Sequence, residues 1–212
     1  MIKESMNIHQ ALSELKVLGS RIDKTIRETD YCVANKHSNV KISGVSIQQF
    51  EEIIKSNSQK VNDLVNRASV IKRAVVLSNA TTMVTIAGQE YTVAEAIEIN
   101  NHGIDLKESV LKKMQSDYRK ANLIITKENG DSLTERANAH VIALFGSSEK
   151  SKNEECEKAQ KTFIEQNSYD LVDPLNILKK IEELEAEIDQ FTSEVDSVLS
   201  TSNALTIIEI EY

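Results

Sequence analysis

The chain has a single proline, Pro174, six glycines and no tryptophan in 212 residues, and aromatic residues make up only 4% of it. So few chain breakers exclude a loop-rich fold and require long uninterrupted elements. With aromatics scarce, the apolar content rests on Ile, Val, Leu and Ala, which suits narrow helix–helix seams better than a broad core. Two cysteines, Cys32 and Cys156, make no disulfide framework. Cys156 lies among Glu154, Glu155 and Glu157, which disfavour its thiolate and make it a poor nucleophile.

Positive charge is also short, and the net charge is −8. That disfavours nucleic acid, whose affinity would come from neutralising phosphates, and anionic membrane surfaces. No apolar run approaches the roughly 18 residues that would span a bilayer. The opening MIKESMNIHQ lacks the basic-then-apolar pattern of a secretory signal. The expectation is a soluble protein of the cytoplasm, or one associated with a virion, without nucleic-acid or membrane partners.

What the sequence does contain is heptad spacing. Ile47, Phe50, Ile54, Asn57, Val61, Leu64, Ala68, Ile71, Val75 and Ser78 alternate steps of three and four. Ser46 and Gln49 form a capping-box pattern at the start of that run. A second seam runs through Ile177, Ile181, Leu184, Ile188, Phe191, Val195 and Val198, with Asp173-Pro174 as N-cap and first helical residue. A third helix begins at the Thr92/Glu95 box, keeps Ile97, Ile104, Leu111, Tyr118 and Ile125 in one column, and continues through Gly103. The first helix has Ile8, Leu12, Leu15, Gly19, Ile22 and Ile26. Asn57 reads as a polar residue setting register in its seam. Four such helices predict a mainly α fold, one antiparallel long-helix bundle with coiled-coil-like seams and a single domain over 1–212.

Met83 to Ile86 favours a strand, Ala87-Gly88-Gln89 a turn, and Tyr91 resumes the strand. An isolated two-stranded hairpin is marginal in water. The tail ALTIIEIEY alternates Ile208, Ile210 and Tyr212 with Glu209 and Glu211, and so is expected to complete a capping sheet over 82–92 and 204–212, within one chain or with a neighbour. Met83, Val84, Ile86, Ile207, Ile208 and Ile210 are the candidate oligomer interface. Residues 29–45 read as a loop with a strand at Val40–Ser43. Residues 129–173 read as an insertion with two short helices, one starting from a Ser132/Glu135 box and ending at Gly146, the other over 153–166.

In NIHQALSELKVLGSRI, in LVNRASVIKRAVVLSNATTMVTIAGQEYTVAEAI and in KKIEELEAEIDQFTSEVDSVLSTSNALTIIEI, the chain resembles the septicolysin-like family of small bacterial proteins of unknown function. Asn79, Thr81, Gly88 and Thr92 carry the turn, the hairpin and the capped helix of that pattern; the insertion departs from it. The resemblance implies an oligomerising helical bundle and transfers no catalytic residue. Chains with such an insertion also resemble uncharacterised phage proteins.

Two constellations carry potential chemistry. Glu95, Glu98, His102 and Asp105 share a helix face at steps of three, four and three, a metal-ligand spacing, with Glu98, His102 and Asp105 as candidate ligands. Di-metal bundles, however, need Glu-x-x-His on two helices, and it occurs here once; a solvated face is the competing reading. Lys112, Lys113, Arg119 and Lys120 form a basic stripe, either an anion or nucleotide pocket or the partner of Glu182, Glu183, Glu185 and Glu187 on the last helix. No cofactor is expected. The leading expectation is a non-enzymatic structural or interaction protein, a homo-oligomer or one that binds another protein. The alternatives are a protein that sequesters a small anionic metabolite or nucleotide, and a di-metal bundle.

Overall fold

The computed structural model describes residues 3–146 and 154–211. In chain order the elements are β1 (Lys3–Asn7), α1 (Ile8–Arg27), β2 (Lys41–Ile42), β3 (Val45–Ser46), α2 (Ile47–Thr81), β4 (Met83–Ile86), β5 (Gln89–Thr92) and α3 (Val93–Glu98). A π-helical stretch, Ile99–Gly103, then leads into α4 (Ile104–Asn129), α5 (Asp131–Phe145), α6 (Glu154–Asn167), α7 (Ile177–Leu205) and β6 (Ile207–Glu211). The fold is mainly α with three small antiparallel strand pairs among the described residues. It gathers into two compact units, Met1–Asn101 with Phe191–Tyr212, and His102–Gln190.

In the first unit, α1 and α2 pack around Met6, Ile8, Ala11, Leu18, Ile71, Val75, Ile208 and Ile210. The seam of α1 is therefore Ile8, Ala11, Leu15, Leu18, Ile22 and Thr25, while Leu12, Gly19 and Ile26 are exposed. Periodicity alone places Leu12, Gly19 and Ile26 inside. Both columns repeat every seven residues, and the small Ala11 allows a closer backbone approach than Leu12 would. The α2 start carries both hydrogen bonds of the Ser46/Gln49 box, and Phe50, Val61, Ile71 and Val75 are buried as their spacing predicts, with Asn57 half-buried.

The tail forms its strand, but its partner is not the hairpin. β6 pairs antiparallel with β1, from Lys3 opposite Glu211 to Asn7 opposite Ile207, and β4–β5 stands as a separate two-stranded sheet. The physical reason is the apolar face of β6: Ile208 and Ile210 bury against α1 and α2, beside Met6, and not against Val84 and Ile86. Arg67 of α2 fixes this arrangement, donating to Glu14 of α1 at 2.5 Å and to Glu4 of β1 at 3.0 Å. The bond to Glu14, foremost, raises the guanidinium's pKa above its ordinary value.

The hairpin itself turns through Ala87 (φ 52°) and Gly88 (φ 73°), a conformation that favours Gly at the second site. Ala87 N–H donates to Glu194 of α7 at 2.8 Å, and Tyr91 meets Phe191 edge-on with ring centroids 6.0 Å apart. The expected loop strand is a small hairpin of its own, β2 against β3 across Ser43 and Gly44.

The Thr92/Glu95 box caps α3: Glu95 accepts from Thr92 N–H at 2.7 Å and from its hydroxyl at 2.8 Å. The backbone bond, then the side-chain bond, holds the Glu95 carboxyl below its ordinary range. A depressed carboxyl stabilises the fold at pH values above its unfolded pKa and stops doing so as pH falls through its folded one. Thr92→Ala should therefore cost about 1 kcal/mol at neutral pH, and the gap between the two melting curves should narrow on acidification through the carboxylate range.

In the second unit, α5 begins at Asp131 with Gly130 as N-cap and no side-chain cap bond, so the Ser132/Glu135 box is not used. Asn129 explains the shift. α4 runs to that residue, and its side chain donates to Tyr169 C=O and accepts from Tyr169 N–H, both at 2.7 Å, so the chain has a single residue in which to turn. α7 begins at Ile177, three residues later than Asp173-Pro174 suggests. Asp173 still caps it, accepting from Ile177 N–H at 2.8 Å across a turn with Asn176 at φ 53°.

Candidate functional site

Glu98, His102 and Asp105, the residues with metal-ligand spacing, fall where the helix changes its winding. A π-helical stretch, Ile99–Gly103, follows Glu98, contains His102 and ends two residues before Asp105. Glu95 is held by Thr92. Among the described residues no three of His, Cys, Asp and Glu gather in a way that could hold a metal ion.

Three of the four residues of the basic stripe bond to groups on their own helix. Lys112 pairs with Glu108 at 2.7 Å and Lys113 with Asp117 at 2.5 Å, each one turn away, and Arg119 Nε donates to Gln115 C=O at 3.3 Å. The Glu108 bond raises the Lys112 pKa. Lys120 is exposed. Such exposed i,i+4 pairs contribute little to stability. The acidic flank of α7 is met by other residues: Lys107 bonds Glu187 and Gln115 bonds Glu185, both at 2.5 Å.

Of the six residues proposed for an oligomer interface, Val84, Ile86, Ile208 and Ile210 are buried within the chain. Met83 and Ile207 remain exposed. Strand β1, which buries Ile208 and Ile210, is the element that sequence reasoning missed. Its signals were an Asn7/Gln10 capping box, both bonds of which form, and one buried alternating residue, Met6.

The hairpin also leaves one open edge. Val93 N–H donates to Thr82 C=O at 2.9 Å, which makes that a hydrogen-bonded pair. Alternation then assigns Val84–Tyr91 and Ile86–Gln89 to the ladder and turns the N–H and C=O of Met83 and Thr85 outward. Beside that edge, between β4 and the end of α7, lies an open groove of about 410 Å³. Its walls are Thr82, Met83, Val84, Ser197, Val198, Thr201, Ser202, Leu205 and Thr206. None of these is charged, in a chain of which 27% is.

Within the second unit, α4 buries none of its 26 residues. Ile104, Leu111, Tyr118 and Ile125 are half-buried, as their column predicts, while Leu106 and Leu123 are 70% and 69% exposed. Among the described residues no helix is long and apolar enough to cross a membrane. No family model matches the chain, and no curated protein or solved structure matches it.

Proposed function

We propose that the protein is a non-catalytic structural component that assembles with copies of itself, in the bacterial cytoplasm or as part of a phage particle. The observation that supports this reading is α4. A 26-residue helix with no buried residue and with Leu106, Val110, Leu123 and Ile124 exposed presents more apolar surface than a solitary chain gains by showing to water. Each such side chain gains about 1.5–3 kcal/mol when a partner covers it fully. The seams, the caps and the Arg67 clamp all supply rigidity, which an assembly component needs.

Sedimentation velocity over a concentration series tests it. The expected result is a mass above the 23.7 kDa of one chain, reduced when Leu106 and Leu123 are both replaced by Glu. A wild-type protein that sediments as a single chain at every soluble concentration would overturn the reading.

A further inference from the structure

The first unit holds both halves of a strand-addition contact. One half is the open β4 edge, with the outward N–H and C=O groups of Met83 and Thr85 and an uncharged groove beside them. Charged residues are depleted at the centres of protein interfaces, and a bare strand edge is a template for another chain. The other half is the stretch Tyr31–Cys32–Val33–Ala34. It has no regular secondary structure and is exposed at all four residues, with Tyr31 at 52% and Val33 at 41%. It too is uncharged. Tyr31 and Val33 are two apart, so in an extended backbone they fall on one face, and both residue types favour strands.

We propose that residues 31–34 of one copy add as a strand to the open edge of β4 in another. The peptide backbone would pair with Met83 and Thr85, and Tyr31 and Val33 would lie over Met83, Val198 and Leu205. This is recognition by β-augmentation, in which main-chain bonds supply affinity and alternate side chains supply selectivity. The contact joins two different surfaces, so each copy can both give and receive a strand, and the assembly grows head to tail. The Glu194 carboxylate, already bonded to Ala87 N–H, closes the turn end of the edge and sets where the added strand stops.

The inference rests on the self-assembly proposed above, and two variants separate the two ideas. Thr85→Pro removes an outward N–H without touching the β4–β5 ladder, as edge positions permit. Val33→Lys places a charge in the donor strand. Each variant alone is expected to sediment as a smaller species than wild type, and an equimolar mixture is expected to restore a larger one, because each variant keeps the half that the other lacks. That restoration also shows both variants to be folded, and unchanged helical circular dichroism confirms it. If the wild type assembles and both variants keep its size, or if mixing restores nothing, the strand contact is wrong and self-assembly stands. If the wild type is a single chain, both proposals fall.

Discussion

Replacing Ile71 with Ala is expected to lower the unfolding free energy by about 2–5 kcal/mol. Ile71 is fully buried in the core that α2 shares with residues of α1, β1 and β6, so its truncation leaves a cavity there. The loss is a large fraction of the roughly 5–15 kcal/mol by which folded domains are stable. Urea titration followed by circular dichroism measures it. Leu12→Ala is the matched control. Leu12 has the seven-residue repeat of a seam position but stands 44% exposed, so it should cost under about 1 kcal/mol. Equal losses in the two variants would show that α1 packs in the other register.

A chain that ends at Leu205 should lose more. It gives up Ile208 and Ile210, both buried, at roughly 1.5–3 kcal/mol each, and it uncovers Met6, Ile8, Ile71 and Val75 on the surfaces they leave. β1 loses every ladder bond it makes, since β6 is its strand partner. The first unit should melt far below the wild-type temperature and bind a hydrophobic dye before it unfolds. The second unit contains no residue of the β1–β6 ribbon, so α4, α5 and α6 should retain their helical signal. A truncated chain with the wild-type melting curve would mean that the ribbon does not cover that core.

Much of this was legible in the residues. The α7 column was read position for position: Ile181, Ile188, Phe191 and Val195 are buried, and Ile177, Leu184 and Val198 half-buried. The β4–β5 hairpin and the Ser46 and Thr92 boxes also formed where their local patterns placed them. These features are fixed by neighbours within one or two helical turns, so a sequence window contains their causes. The partner of the tail was not legible, because Lys3–Asn7 carries a single buried apolar side chain, Met6, and a strand so weakly patterned is identified only by what it pairs with. The change of winding near Glu98, His102 and Asp105 was not legible either. Counting along an ideal helix gives no sign of the π turn at Ile99–Gly103.

The pairing of Lys3 with Glu211 also fixes the order of events during synthesis. These residues are about two hundred positions apart, and at roughly 5–20 residues per second the ribosome needs on the order of 10–40 s to pass from one to the other. Strand β1 is made before β6 and waits through that whole interval without its partner. Met6 and the apolar column of α1 can be covered on one side by α2 as soon as it emerges, but Ile208 and Ile210 arrive only with the last residues of β6. Closure of the ribbon thus waits for every element between β1 and β6 to be made, and until then the apolar face that Ile208 and Ile210 cover stays open.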